Sequence, residues 1–422
     1  IIGFIALLCG LFLSFNLEMV FDKGLNQSEY HIAQNLMVLL TINLAISFPM
    51  SVFQNIISAH EEYIILKTIG MLKTVLAPLI TLPLLLAGFR STAMVLVTVV
   101  LSLLSDGVFF LFSRRKLNVQ FQFSQFEKGI FKHLFTFTFF IALNMIVDQV
   151  NSNLGKFLLG RFKGTEVVAV YAVGFSLYQY YVMFSTAVSG VFTPRIHKIV
   201  NATKENMAEQ KKELSELFIK VGRIQFLILA LILTGFLFFG QSFIVLWAGN
   251  SYQSSYYVAS TLMFSVSIAM IQNLGIEVQR ALNKHQFRSV AYMLMAGINI
   301  VLTVKFCQKY GAVGAAIGTA ISFIFINGLI MNIYYHKQCN IDIVLFWKNI
   351  FRMGRGLVIP VVAGLLMTHF FNAASAMTKL TAIPLYAGIY IISMWFFGMN
   401  QYEKGLLAKT IRRIVKNDKN NR

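Results

Sequence analysis

The sequence is poor in charge. Only 13% of its 422 residues are Asp, Glu, Lys or Arg, whereas 57% are hydrophobic and 40 are Phe. A water-soluble domain of this length wraps its core in a far more polar shell, so a soluble globular fold is excluded. Acidic residues are scarcest, 17 against 36 Lys and Arg, which leaves a formal charge of +19. Cysteine is nearly absent. Cys9, Cys307 and Cys339 occur without a CxxC or Cys/His cluster, which argues against a disulfide framework or a structural zinc site. Phosphate-cradling P-loops, HExxH and GxSxG are missing too, and the seven His are scattered, so no enzyme class is indicated. The chain opens at Ile1 directly into an apolar stretch, without the basic leader and small-residue cleavage site of a signal peptide. It reads as a fragment that has lost its natural start.

What the sequence has in abundance is long apolar runs. Lipid then serves as the solvent, and only a helix satisfies its own backbone hydrogen bonds there. Twelve spans are expected, over residues 1–17, 32–53, 66–87, 92–113, 131–154, 166–191, 217–240, 255–279, 288–308, 311–334, 353–372 and 379–399. Most of the basic residues fall in alternate turns. Arg114, Arg115 and Lys116 lie in one, Arg195 to Lys212 in the next, then Arg280, Lys284 and Arg288, then Lys337 to Arg355, and finally the tail from Lys404 to Lys419. The positive-inside bias places these turns and the C-terminus in the cytoplasm. Opposite loops are short or acidic, as with Glu18, Asp22 and Glu29, and Trp247, Tyr252, Tyr256 and Tyr257 suit an outer aromatic belt. The tail from Asn400 reads as a basic amphipathic helix on anionic headgroups. Because the cations belong to loops between spans, anionic lipid is the expected partner and nucleic acid is not.

A weak internal echo links AHEEYIILKTIGMLKTVLAPLITLPLLLAG to NKHQFRSVAYMLMAGINIVLTVKFCQKYG. In each, an aromatic residue after a basic-side turn (Tyr63, Phe287) precedes a glycine (Gly88, Gly311) by about seven helical turns. Both run in the same direction, as in transporters built from two similar bundles. Chance likeness between apolar helices is the competing explanation.

Polar residues inside spans are costly, about 2.5 to 3.5 kcal/mol at the bilayer centre when ionised, and normally face a cavity or a partner. Asn144, Asp148 and Asn151 recur at helical spacing in the fifth span, followed by Lys156 and Arg161. Two readings stand: a face lining a substrate cavity, or an interhelical lock such as Asp148 with Lys156. Asn299 lies mid-span with Thr303 four residues on, and with Asp148 and Thr319 these oxygens could hold Na⁺ or serve a proton-linked site. The alternative is hydrogen-bonded packing between helices. Glu277 with Arg280, and Asp106 about two turns before Arg114, are gate candidates or interfacial side chains. Gly314, Gly318 and Ser322 recur every four residues, spacing that lets two helices pack backbone to backbone.

At these residues a family becomes recognisable. KYGAVGAAIGTAIS after a span with a central Asn resembles a signature of polysaccharide and O-antigen flippases, members of the multidrug/oligosaccharidyl-lipid/polysaccharide exporter superfamily. FIVLWAGNSYQSSYYVASTLMF, NIISAHEEYIILKTIGMLKTVLAPLITLPLLLAG and DQVNSNLGKFLLGRFKGTEVVAVYAVG resemble further segments of that family, in its order and over nearly the whole chain. The resemblance implies an all-α polytopic membrane protein, with two helical bundles around a central cavity followed by a helix pair. On this map the N-terminal bundle covers 1–113 and lacks its first hairpin, the C-terminal bundle covers 131–334, the extra pair 353–399 and the cytoplasmic tail 400–422. Asp148, Asn299 and Thr319 match positions that contribute to a sodium site in the lipid-linked peptidoglycan-precursor branch.

The implied activity is not enzymatic. It is the flipping of undecaprenyl-diphosphate-linked oligosaccharide across the bacterial inner membrane by alternating access, with Asn144, Asp148, Asn151, Lys156, Arg161 and Arg280 lining the path. No cofactor is expected beyond coupling Na⁺ or H⁺. The expected partners are the lipid-linked glycan, membrane lipids and the glycan polymerase machinery. The rivals are a multidrug antiporter of the same superfamily and a non-transporting scaffold for glycan assembly.

Overall fold

The structure is a computed structural model that describes residues 2–17, 27–119, 128–284, 286–370 and 376–406. The acidic Glu18 and Asp22, and the tail cations from Lys409 onward, lie outside the described residues, as do the side chains of Glu29 and Asn144. Everything described is helix or short connection, as an all-α membrane protein requires. The chain forms two compact units, Ile1–Leu134 and Phe135–Arg422.

The first unit holds α1 (Ile2–Phe15), α2 (Gln27–Ala59), α3 (Tyr63–Leu86) and α4 (Arg90–Arg115). Glycine sets the approach of α1 to α2. A Cβ on Gly3 would stand 2.6 Å from the carbonyl oxygen of Ala45, so the two backbones meet where that side chain is missing. Phe53, Ile57 and Phe109 form a small core where α2 meets α4. In α3 no residue is buried, although Ile64, Met71 and Leu79 are all apolar. Water does not tolerate such a helix, and lipid does.

The second unit begins at Phe135, inside α5 (Lys128–Phe162), and goes on through α6 (Thr165–Ala202), α7 (Met207–Ala248), α8 (Ser255–Ile271) and α9 (Leu274–Ala281). It continues with α10 (Gln286–Phe323), α11 (Met331–Lys337), α12 (Ile343–Gly354), α13 (Val358–Phe370), α14 (Ala376–Thr381) and α15 (Ile383–Ser393). Eight helical runs among the described residues are long and apolar enough to cross a membrane, or nine if the pair α8–α9, bent by 41°, is one broken span. The run from α10 through α11 is 52 residues long. Held straight it would reach about 78 Å, against a hydrocarbon layer of roughly 30 Å. Gly311 resolves this: at φ +57° and ψ −133° it folds the run into a hairpin, a turn that a residue with a Cβ adopts only with strain.

The last helices pack on α7 and share its core. Ala230 lies with Met353, Tyr390 and Met394, and Phe239 with Ala382 and Tyr386. The Tyr390 hydroxyl donates to the carbonyl of Leu227 at 2.7 Å.

The sequence echo extends to backbone geometry. Before α3, Glu61 takes φ +58°, with Glu61 N bonded to Ser58 O and Glu62 N to Ile57 O. Before α10, Asn283 takes φ +55°, with Asn283 N bonded to Arg280 O and Lys284 N to Gln279 O. Both are the same left-handed helix stop, in which the last carbonyls find donors beyond the helix. Each echo then ends on a glycine of positive φ, Gly88 at +92° and Gly311 at +57°.

Candidate functional site

The site is built at the α10 hairpin. On its second arm, a Cβ at Gly318 would stand 2.7 Å from both Cα and N of Thr303 on the first arm. Only glycine permits that approach, which is the role its small-residue spacing suggested. Close packing brings Thr319 level with Asn299. The hydroxyls of Thr303 and Thr319 both donate to Asn299 Oδ1, at 2.7 and 3.2 Å. Thr319 also reaches the carbonyl of Ala315 at 3.1 Å, so its single proton is shared. Asn299 Nδ2 donates to Asn151 Oδ1 at 3.1 Å, which ties α5 to both arms. All four side chains are buried, Asn151 the least so at 8% exposure. Asn151 Nδ2 is buried without a partner, an arrangement that costs about 1 to 3 kcal/mol when a donor is left unmet.

Two amide oxygens and two hydroxyl oxygens thus converge within one helical layer. Hard cations take such ligands. With no carboxylate among the four, the set suits a weakly held monovalent ion better than a divalent one. Among the described residues there is no group of three or more His, Cys, Asp and Glu that could hold a metal.

Asp148 stands one turn before Asn151 but is exposed, and no hydrogen bond joins it to the four. Arg288 of α10 is near enough to act on it electrostatically, but no ion pair within 4 Å joins the two. The lock between Asp148 and Lys156 does not form: Lys156 instead lies over the Phe175 ring, 4.5 Å from its centroid. Arg161 is exposed beside Phe162, one helical end away from the cluster. Arg280 pairs with Glu277 at 2.7 Å on the exposed face of α9, an ordinary i,i+3 surface pair. Asp106 lies in the first unit, where it accepts a hydrogen bond from Ser47 at 2.8 Å. The structure therefore joins Asn151, Asn299, Thr303 and Thr319, and leaves Asp148, Lys156, Arg161, Arg280, Glu277 and Asp106 with other neighbours.

A second polar layer involves Arg288, Tyr292, Asn327 and Asn332. Arg288 lies over the Tyr292 ring and donates to its hydroxyl at 2.9 Å, and Tyr292 donates in turn to Asn327 at 2.9 Å. Asn327 belongs to a π-helical turn, Ile324–Ile330, a local widening often found where helices bend or serve function. Asn332 Oδ1 accepts from Gln272 at 2.6 Å and from Trp347 Nε1 at 3.0 Å. Asn273 donates to Ser189 at 2.9 Å. Gln272 and Asn273 occupy the α8–α9 break, so the bend is pinned by side chains of α6 and α11.

A third feature joins Glu403, near the end of the described residues, to α7. Arg223, in α7, donates from Nε to Glu403 Oε1 at 2.5 Å and from Nη2 to Oε2 at 2.9 Å. Its Nη2 also reaches Gly398 O at 2.9 Å and its Nη1 reaches Asn349 O at 3.3 Å. Both side chains are buried. Residues 400–406, the described start of the tail, are thus tied to α7 through Glu403. Position 223 falls inside an expected span, where a charge signals a buried partner; that signal identifies Arg223 but not Glu403.

A family model described as polysaccharide biosynthesis protein matches residues 26–257. Among solved structures the chain is similar to one titled "Lipid II flippase MurJ, inward closed conformation", with a TM-score of 0.69 at 14% identity, over 94% of this chain and 81% of that one. No curated protein matches.

Proposed function

The chain belongs to the polysaccharide biosynthesis protein family, and on that premise we propose that it flips an undecaprenyl-diphosphate-linked oligosaccharide from the cytoplasmic to the outer leaflet of the bacterial inner membrane. The observation that carries this reading is a buried, uncharged layer of Asn151, Asn299, Thr303 and Thr319 inside a lipid-solvated helical protein. The fold shared with a structure titled as a lipid II flippase supports the same reading. Diphosphate and sugars do not cross hydrocarbon unaided, whereas alternating access exposes a polar path to each leaflet in turn. Moving two negative charges outward gains about 2.3 kcal/mol per charge per 100 mV of inside-negative potential.

The neutral oxygen layer is the candidate for coupling. An inward-moving Na⁺ would be cargo there, taken up by Asn299 and Asn151 oxygens and released when the arms of α10 shift. The basic turns lie in the cytoplasm by the positive-inside bias. The glycan repeat unit, whether of O-antigen, capsule or exopolysaccharide, would pass to polymerase machinery at the outer face. A multidrug antiporter would want buried carboxylates for cationic drugs, and this layer holds none.

A deletion strain separates these readings. Loss of surface glycan without a change in drug sensitivity supports flipping, and drug hypersensitivity with normal glycan supports the antiporter. Proteoliposomes then test coupling: flipping that proceeds at full rate without any sodium or proton gradient removes the coupling role from the Asn299 layer.

A further inference from the structure

Helix α12 has two faces of different chemistry. Ile343, Phe346, Ile350 and Met353 are buried, with Phe346 packed edge-on to Phe218 at 4.9 Å between ring centroids. Lys348, Phe351, Arg352 and Arg355 are exposed at i, i+3, i+4 and i+7, on one face. These four line a cavity of about 550 Å³. None of the ion pairs among the described residues involves Lys348, Arg352 or Arg355. Phe351 is 72% exposed, and the apolar Val344 and Leu345 share its face.

Hydrogen bonds tie this segment to its neighbours. Arg223 Nη1 donates to the carbonyl of Asn349, which lies between Lys348 and Arg352 in sequence. Trp347 Nε1 is fixed on Asn332 at 3.0 Å. After the stripe, Ser393 donates to the carbonyl of Gly356 at 2.8 Å. Cations held on a fixed helix at the start of a span sit at headgroup depth, and the apolar side chains between them reach toward acyl chains. Basic pockets of this kind at the basic side of membrane helices suit anionic headgroups.

We propose that Lys348, Arg352 and Arg355, with Phe351 at their centre, form a binding site for the headgroup of an anionic membrane phospholipid. The site is separate from the Asn299 layer, and the inference does not depend on the transport reading. Two or more cations around a phosphodiester distinguish an anionic headgroup from a zwitterionic one, whose choline they repel. Phe351 supplies the acyl contact that free phosphate lacks.

The test is native mass spectrometry of the purified full-length chain in detergent, titrated with phosphatidylglycerol or phosphatidylcholine. Wild type is expected to retain phosphatidylglycerol preferentially. A Lys348→Gln/Arg352→Gln/Arg355→Gln variant is expected to lose about fivefold in affinity per cation removed. The charge-keeping Lys348→Arg/Arg355→Lys variant is expected to bind as wild type does, which separates lost charge from misfolding. Equal binding of the two lipids, or a triple-Gln variant that binds like wild type, overturns the proposal. Displacement of the lipid by millimolar inorganic pyrophosphate also overturns it, because the site would then read a free diphosphate.

Discussion

Replacing Glu403 by Ala removes one half of a buried, bidentate ion pair. Arg223 then keeps only the carbonyls of Gly398 and Asn349 as acceptors, at 2.9 and 3.3 Å, and remains buried. Breaking one side of such a pair costs about 3 to 5 kcal/mol, because the remaining charge is uncompensated. Glu403 has a second role. Its Oε2 accepts from Asn400 N at 2.8 Å while its own N–H donates to Asn400 Oδ1 at 3.0 Å, a reciprocal cap on the helix that follows. Losing that cap adds roughly 1 kcal/mol. Glu403→Gln should fall between wild type and Glu403→Ala, since it keeps the cap and a neutral hydrogen bond but not the charge. Arg223→Met combined with Glu403→Met should recover much of the loss, because no lone charge is left buried. The assay is unfolding in mixed micelles of SDS and a mild detergent, with wild type, Arg223→Met, Glu403→Met and the double Met variant read as a cycle. A Glu403→Ala protein within about 0.5 kcal/mol of wild type, the range of ordinary surface substitutions, would show that the pair is solvated and that the reasoning fails.

Further outcomes follow from packing and ionisation. Gly318→Ala should destabilise by about 1 to 3 kcal/mol and loosen the Asn299 layer, since its Cβ meets the Thr303 backbone at 2.7 Å; hydrogen exchange at α10 reads this directly. Burial pushes the Cys339 thiol up to about 12, and the side chain is fully buried. At pH 8 its thiolate fraction is negligible, so a maleimide should leave Cys339 unmodified in folded protein and label it after denaturation. Labelling rises only as pH approaches the raised value, and peptide mapping checks it. Thr303→Val, which keeps shape and removes the hydroxyl donated to Asn299 at 2.7 Å, should cost about 1 kcal/mol of stability and impair flipping more than folding.

Hydropathy made the spans legible, because each helix must solve its own hydrogen bonding in lipid whatever its neighbours do. The hairpin at Gly311 was legible as well. A small-residue stripe after a glycine announces close backbone packing, and Thr303 lies one turn from Asn299 by helical period alone. Which of Asp148 and Asn151 would face Asn299 was not legible. They are three residues apart, about 60° around a helix, and only the docking of α5 on α10 separates them. Glu403 lies 180 residues from Arg223, so no local period links them. The same holds for Arg288, which reads as a loop cation until its side chain is seen over Tyr292.

The most direct measurement is the rate at which proteoliposomes carrying wild type or Asn299→Leu move a lipid-diphosphate-linked oligosaccharide between leaflets, read by its accessibility to an added glycan-modifying enzyme. Wild type is expected to move it, and the variant, still folded by its melting profile, to be at least tenfold slower, a difference of about 1.4 kcal/mol in barrier. Equal rates, or no movement by wild type beyond empty liposomes, would contradict a role for the buried Asn299 layer in carrying glycan across the membrane.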